Sequence, residues 1–301
     1  MTVTIAYLGP EGTYSQIAAL AYSLELERKN GDAVELVSLP SIPQAMKSTA
    51  NGATALTIVP VENSTEGGVT ATLDTLWQLR QLYIHHAVVM PIRHGLLSHA
   101  HDIESIEAVY SHPQALSQCQ SWLGTNLPQA NLVATKSTTE ALSYLSNNQH
   151  VAAIAAEWAA QLYSLPILAR GINDSVDNCT KFWVLSHQNN TVDPTGTEYT
   201  SIAFSLPING PGALLKPLAV LAKYGINLSR IESRPTKRSL GDYLFFIDLE
   251  INASSAVGKQ AMEDLLTCTE TLVNFGTYDL SPIDPHLAVA KAKLELIQAP
   301  L

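Results

Sequence analysis

Asp177-Asn178-Cys179-Thr180-Lys181-Phe182 sets an amide, a thiol, a hydroxyl, a cation and an aromatic ring in consecutive positions. Three other segments share its character. Gly9-Pro10-Glu11-Gly12-Thr13-Tyr14-Ser15, Pro60-Val61-Glu62-Asn63-Ser64-Thr65-Glu66-Gly67-Gly68 and Ser111-His112-Pro113-Gln114-Ala115-Leu116 each follow an apolar run. Each is a polar, hydroxyl-rich turn placed where a strand ends and a helix begins. In open α/β sheets such strand ends converge on a ligand crevice. Four of them in one chain point to a single site for a small, oxygen-rich anion.

Residues 1–187 hold eight Lys/Arg against fifteen Asp/Glu. An anion bound there has no cluster of cations to rest on, so backbone N–H groups at helix starts and Ser, Thr and Asn side chains must carry it. Gly9-Pro10-Glu11-Gly12 lacks the spacings of a dinucleotide or nucleoside-triphosphate loop, and Gly12 alone reads equally well as relief of a tight turn. A capped helix start accounts for Ser64, Thr65 and Glu66, but not for Asn63 directly after a strand end. Neither His-Glu-x-x-His nor Gly-x-Ser-x-Gly occurs, which removes zinc peptidases and α/β-hydrolases. His85-His86 and His99/His101 are poorly placed to share a metal, because neighbours on a strand face opposite ways, and they are expected at the surface. His112 lies in a motif and reads as a ligand contact or as a turn residue. Cys119, Cys179 and Cys268 have no metal or disulfide spacing and read as small apolar side chains.

These turns need a sheet to hold them. Thr2–Leu8 reads as a buried strand, followed by a helix over 14–28 with Thr13 or Ser15 as its N-cap. A strand at 34–38, a helix from Ser41 toward Ala50 and a strand at 53–59 continue the alternation that marks a parallel sheet with crossovers. The middle reads as a second α/β unit, with strands at 87–90, 108–110 and 151–155 and helices over 113–123, 138–147 and 156–163. The strand ending at Ser186 is expected to rejoin the first lobe, giving two lobes, two crossings and a cleft. Residues 188–199 are polar, contain Pro194 and Gly196, and read as a linker. After it comes β-α-β-β-α-β over 200–280, a ferredoxin-like unit whose first helix is expected over 212–224. Residues 281–301 form a tail with a helix expected over 287–297.

The 301 residues suit about two domains. An apolar fraction of 46% supports real cores. The net charge of −10 argues against nucleic acid and against an anionic membrane surface as partners. No apolar stretch is long enough to span a membrane, and the N-terminus lacks the pattern of a signal peptide, so a cytoplasmic enzyme or sensor is expected.

Taken together, Gly9–Ser15, Pro60–Val69, Ser111–Cys119, Ala152–Leu165 and Asn178–Phe182 resemble the prephenate dehydratase family, in order and in approximate spacing. Gly212-Ala213-Leu214-Leu215 and Glu232-Ser233-Arg234-Pro235 resemble the two phenylalanine-binding signatures of the ACT regulatory domain in that family. The resemblance covers about residues 3–280. It implies two α/β lobes like a type 2 periplasmic binding protein, followed by a βαββαβ ACT domain. It implies decarboxylating dehydration of prephenate to phenylpyruvate, with no metal or organic cofactor and with L-phenylalanine as effector. By the resemblance Thr180 is the catalytic hydroxyl. Thr13, Asn63, Ser64, Ser111 and Gln118 bind substrate, with Glu62 orienting Asn63, Lys181 pairing with a carboxylate and Phe182 packing on the ring. Gly212, Ala213, Leu214, Leu215, Glu232, Ser233, Arg234 and Pro235 form the effector site, shared between chains of a homodimer or homotetramer. The family usually has Thr-Arg-Phe where this chain has Thr180-Lys181-Phe182, which replaces a planar fork by a point charge. No chorismate mutase segment precedes Met1, so the monofunctional form is expected. Arogenate as substrate, and a non-catalytic amino-acid sensor, remain alternative readings.

Overall fold

The computed structural model describes residues 2–146, 148–187, 198–239 and 241–285. The first lobe runs β1 (Thr2–Leu8), α1 (Tyr14–Asn30), β2 (Ala33–Leu39), α2 (Ile42–Ala50), β3 (Leu56–Asn63), β4 (Gly67–Gly68), α3 (Thr70–Gln78) and β5 (Tyr83–Pro91). The second runs β6 (His94–Leu97), β7 (Ala108–Ser111), α4 (Pro113–Ser117), α5 (Gln120–Asn126), β8 (Asn131–Ala134), a 3-10 turn (Glu140–Tyr144), β9 (Val151–Ala156), α6 (Glu157–Leu162) and β10 (Ile167–Ala169). β11 (Cys179–Ser186) then returns to the first lobe, between β3 and β5. The C-terminal domain is β12 (Glu198–Ser205), α7 (Leu215–Lys223), β13 (Leu228–Pro235), β14 (Tyr243–Leu249), α8 (Ala256–Cys268) and β15 (Thr271–Pro282), the expected βαββαβ order.

Local chemistry fixes the helix starts that matter for the cleft. Thr13 is extended and its hydroxyl accepts from the Gln16 amide, capping α1; Ser41 caps α2 through the Gln44 amide. The helix expected over 113–123 is broken in two. The Asp174 carboxylate accepts from the Ser121 and Trp122 amides and caps α5 afresh, while the Asp174 amide donates to the Gln118 carbonyl. Gln118 is thereby held at the break, with its side chain free to enter the cleft. Among the described residues of 138–147 only the short 3-10 turn is helical, and α7 starts at Leu215 rather than Gly212, after a turn in which Gly212 takes φ +78°.

One expectation is corrected by the sheets. Residues 87–90 do not belong to the second lobe: β5 lies in the first sheet beside β11, with Val88 and Met90 packed among Ile5, Tyr7 and Phe182. The C-terminal domain is also joined to the sheet of the first lobe. The sheet runs β13-β14-β12-β15-β5-β11-β3-β1-β2, with β4 on β3, because Leu280–Pro282 of β15 pairs in parallel with Ala87–Val89 of β5. Ala203, Leu244, Phe246 and Phe275 of the C-terminal domain share one core with Val59, Leu73 and Trp183 of the first lobe. Burying that common apolar surface ties the domain to the lobe that carries Thr180. The second lobe has its own sheet, ordered β10-β6-β9-β7-β8. Residues 188–197 and the helix expected over 287–297 lie outside the described residues.

Candidate active site

A cavity of about 610 Å³ opens between the lobes. The first lobe lines it with Pro10, Thr13, Tyr14, Pro60, Asn63, Thr180 and Phe182, and the second with His94, His112, Gln114, Gln118, Lys136, Ser137 and Thr138. It is thus built from the ends of β1, β3, β7, β8 and the start of β11, as the placement of the polar turns implied.

Asn63, 5% exposed, is the hub. Its Oδ1 accepts from the backbone amides of Thr65 (3.0 Å) and Glu66 (3.3 Å), so the opposite side of the amide must be the NH2. Nδ2 faces Asn178 Oδ1 at 2.9 Å, Thr180 Oγ1 at 3.0 Å and the Cys179 carbonyl at 3.2 Å. Thr180 Oγ1 therefore accepts from Asn63 and keeps its own hydrogen for the cavity. A hydroxyl that accepts one hydrogen bond is polarised into a better donor for the next.

Across the cleft a second chain of groups runs Tyr14, His94, Gln118, Glu66. Gln118 Nε2 donates to Glu66 Oε1 at 3.0 Å, which turns its Oε1 toward His94 Nε2, also at 3.0 Å. His94 must then carry its hydrogen on Nε2 and leave Nδ1 as an acceptor near Tyr14 Oη, 3.3 Å away. Tyr14 Oη gives its one hydrogen to the Arg93 carbonyl at 2.7 Å, so its longer approach to Nδ1 is a contact and not a second donated bond. Burial holds the imidazole neutral and brings its pKa down to about 4. Burial likewise raises the Tyr14 phenol well above its usual range, so it acts as a donor and not as an anion. Gly12 fits here for a steric reason: with φ +87°, a Cβ would run into Thr139 and Tyr163 of the other lobe.

The candidate residues divide by where they point. The structure brings Thr13, Asn63, Gln118, Thr180 and Phe182 to the cavity. Ser64 stands outside its wall, accepting from the Cys179 amide at 3.0 Å and so tying the 63–65 turn to β11. Ser111 is fully buried and donates to the Ile154 carbonyl at 2.6 Å, a bond within the second sheet and not a substrate contact. Glu62 and Lys181 pair across β3 and β11 on the face away from the cleft. Side chains alternate along a strand, so Asn63 and Thr180 in the cleft put Glu62 and Lys181 behind it. Asn63 is oriented by Asn178 and the 65–66 amides rather than by Glu62, and Lys181 binds Asp248 of the C-terminal domain at 2.8 Å. Of the effector segments, Gly212 is exposed, and Leu215, at 66% exposure, is strongly so, with Ala213 and Leu214 partly covered. Ser233 and Pro235 are exposed on β13, whereas Arg234 pairs with Asp74 at 3.0 Å and Glu232 presses on Gly68, both in the first lobe.

His94 and Tyr14 were not selected by sequence reasoning as a pair. They meet only in the fold, 80 positions apart, although both follow strand ends like the other motifs. Lys136 was likewise passed over. It is the one Lys or Arg among the described cavity-lining residues, and no apolar run before it is long enough to signal β8. His85 and His86 are not at the surface as expected. Both are partly buried on β5, with His86 stacked on Tyr22 and hydrogen-bonded to Ser281 at 2.8 Å. No group of three metal-ligating side chains lies together among the described residues. Burial pushes the Cys119 thiol up to about 12, which leaves it inert as a nucleophile.

Known proteins place this geometry. Residues 5–190 match the family model described as prephenate dehydratase, and residues 200–267 match the ACT domain. The chain is 38% identical over 276 residues to a bifunctional chorismate mutase/prephenate dehydratase of Aquifex aeolicus, covering 92% of this chain and 73% of that protein. It is 36% identical over 287 residues to a prephenate dehydratase of Lactococcus lactis subsp. cremoris, covering 93% and 99%. A prephenate dehydratase of Arthrobacter aurescens, solved in complex with L-Phe, superposes with a TM-score of 0.81 at 32% identity, covering 98% of this chain and 99% of that one. The chain belongs to the prephenate dehydratase family, and it carries an ACT domain after its catalytic lobes.

Proposed function

We propose that Thr180 supplies the hydrogen bond that lets the C4 hydroxyl of prephenate leave, in the decarboxylating dehydration that gives phenylpyruvate, CO2 and water. The observation that carries this reading is the Thr180 hydroxyl: it is held by Asn63 as an acceptor, and its hydrogen is left facing a cavity of the right size for a ring. In prephenate the bond from C1 to its carboxylate breaks, and the electron pair enters the ring. The diene shifts, the C4–O bond breaks, and the departing oxygen takes a proton and leaves as water. The product ring becomes aromatic, so the driving force lies in the substrate, and neither redox partner nor organic cofactor enters the balance. The enzyme's part is to hold the ring, polarise the leaving oxygen and strip water from the ring carboxylate. Phe182, Pro60, Ile92 and Val69 supply an apolar wall. Thr180 donates at C4. Lys136, with Ser137 and Thr138 beside it, supplies the positive charge and hydroxyls that two carboxylates require, a role Lys181 is not placed to fill.

Regulation by L-phenylalanine follows the same reading. The exposed Gly212–Leu215 turn of one chain and the exposed Ser233 and Pro235 face of another offer an amino acid backbone N–H groups and an apolar edge. The minimal regulated species is then a two-fold dimer, alone or paired as a tetramer, in the cytoplasm. Support comes from the L-Phe complex of the Arthrobacter relative. No helix among the described residues is long and apolar enough to cross a membrane.

The test is phenylpyruvate formation from prephenate by wild type and Thr180→Ala, with and without phenylalanine, and with arogenate as a parallel substrate. No product from prephenate, or equal rates for the two proteins, would overturn the reading.

A further inference from the structure

β11 has a second face. Thr180 and Phe182 look into the cleft, and Lys181 between them emerges on the other side, 12% exposed, with Nζ 2.8 Å from Asp248 Oδ2 on β14. Asp248 is fully buried. Its Oδ2 also accepts from Arg230 Nε at 3.0 Å, and its Oδ1 from Arg230 Nη2 at 3.1 Å and Ser201 Oγ at 2.6 Å. The Arg230 guanidinium in turn lies 5.1 Å over the ring of Trp183, two residues further along β11. One buried carboxylate of the ACT domain therefore holds Lys181 directly and, through Arg230, Trp183, the next residue on the same face of the strand, behind the cleft. A buried charge cannot give up its partner cheaply, so Lys181 and Asp248 move together.

Where it is gripped, the strand is irregular on one side. Against β3 the pairing register shifts between Lys181 and Phe182: Lys181 faces Glu62 and Phe182 faces Pro60, so Val61 is skipped. Pro60 has no N–H to give the ladder. Against β5 the pairing runs unbroken from Cys179 to Val184, so the irregularity lies on the β3 side alone, next to Lys181. The neighbouring loop is braced from the same side. Arg230, Glu232 and Arg234 alternate along one face of β13. Glu232 packs on Gly68, just past the turn that fixes Asn63, and Arg234 pairs with Asp74 on α3.

We propose that Lys181 is a positioning residue: through Asp248 it sets the place of the Thr180 hydroxyl in the cleft, and this ion pair is the link by which the ACT domain governs turnover. The proposal rests on the assignment of Thr180 above.

The experiment compares prephenate kinetics of wild type, Lys181→Met, Asp248→Asn, the double variant and Lys181→Arg, together with hydrogen–deuterium exchange at the amides of residues 179–183. Displacement of a catalytic group by about an ångström lowers turnover on the order of 100-fold. Lys181→Met and Asp248→Asn should each lower kcat by about 10- to 100-fold with KM changed little. The double variant should be no slower than the slower single one, and Lys181→Arg should recover most of the rate. Both single variants should raise exchange at 179–183 above wild type. Lys181→Met leaves Arg230 and Ser201 on Asp248, so it reports even if Asp248→Asn does not fold. A KM raised tenfold or more at unchanged kcat would make Lys181 a substrate ligand and overturn the proposal, as would multiplying losses in the double variant. Should wild type itself fail to turn over prephenate, the function reading falls, while the exchange arm still decides the linkage: protection at 179–183 equal to wild type in Lys181→Met refutes it.

Discussion

Lowering the pH should unfold this protein through His94 before it does so through its carboxylates. The imidazole sits between Tyr14 and Gln118 in the neutral Nε2–H form, and burial brings its pKa from 6.5 to about 4. An unfolded chain takes up the proton near pH 6.5, whereas the folded chain takes it up only near 4. A group depressed in this way contributes stability that is fully present above pH 6.5 and is lost as pH falls through the window from 6.5 to 4. The two pKa values give a loss of about 2 kcal/mol at pH 5 and about 3 kcal/mol at pH 4, relative to pH 8. The charged and polar groups around the ring do not rescue the cation. Gln118 presents a neutral oxygen, Tyr14 stays protonated, and Glu66 is already engaged by Gln118 Nε2. Asp248, held down to about 2 by Arg230 and Lys181 against its own burial, loses its contribution only below that window. Urea unfolding of wild type and His94→Gln at pH 8, 5 and 4 measures the difference. Wild type should lose about 2 kcal/mol more than the variant between pH 8 and 5. Parallel pH dependences for the two proteins would refute the assignment of a buried, neutral His94.

Three further outcomes follow from the cleft. Thr180→Ala should lower kcat by about 100- to 1,000-fold, the usual effect of deleting one transition-state donor, while Thr180→Ser keeps much more activity in the same phenylpyruvate assay. Asn63→Asp keeps the side chain's shape but replaces the NH2 by an acceptor, so the Thr180 hydroxyl turns to donate to residue 63 and not to substrate. Its kcat should fall as far as that of Thr180→Ala, by about 100-fold or more, and combining the two changes should add little. Gly212→Val places a β-branched side chain at φ +78°, which strains the turn before α7; calorimetry should show phenylalanine binding to wild type and none to the variant.

Much of this site is legible because strand ends and helix starts have their own chemistry. Thr13 and Ser41 cap the helices expected of them, and β11 returns to the first lobe as the two-lobe reading required. What was missed was of two kinds. Some of it was available in the sequence: once Asn63 and Thr180 are given to the cleft, the two-residue period of a strand assigns Glu62 and Lys181 to the opposite face, and a motif read as a block hides that. The rest is tertiary. Nothing local tells β5 to join the first sheet, since a short apolar run fits either lobe. Nothing local pairs Tyr14 with His94, or reveals that a polar stretch precedes a domain sharing a core with Trp183 and Leu73. That shared core also means that cutting the chain near residue 200 would expose apolar surface of the catalytic lobe, so truncation would not isolate regulation from stability.

The attachment has a consequence for how an effector can act. The ACT domain joins the first lobe by sheet pairing of β15 with β5, by Arg234–Asp74 and by Lys181–Asp248. The lobes meet each other through different groups: Tyr14 with His94, Gln118 with Glu66, and Tyr163 Oη with the Glu11 carbonyl. Lys136, proposed to face the substrate's carboxylates, stands on the second lobe, and Thr180, the proposed donor to its leaving hydroxyl, on the first. A change in the ACT domain therefore reaches the donor directly and the carboxylate side only through the interlobe bonds. If phenylalanine shifts β11 alone, inhibition lies in kcat, because substrate is still held while its leaving group loses its partner. If it parts the lobes, the Gln118–Glu66 bond breaks and KM rises as well. A coupling of about 1–3 kcal/mol suffices for either course. The direct contacts from Asp248 to Lys181 and from Glu232 to Gly68 favour the first, since they act on the two supports of the Thr180–Asn63 pair without disturbing the bonds that hold the cleft closed.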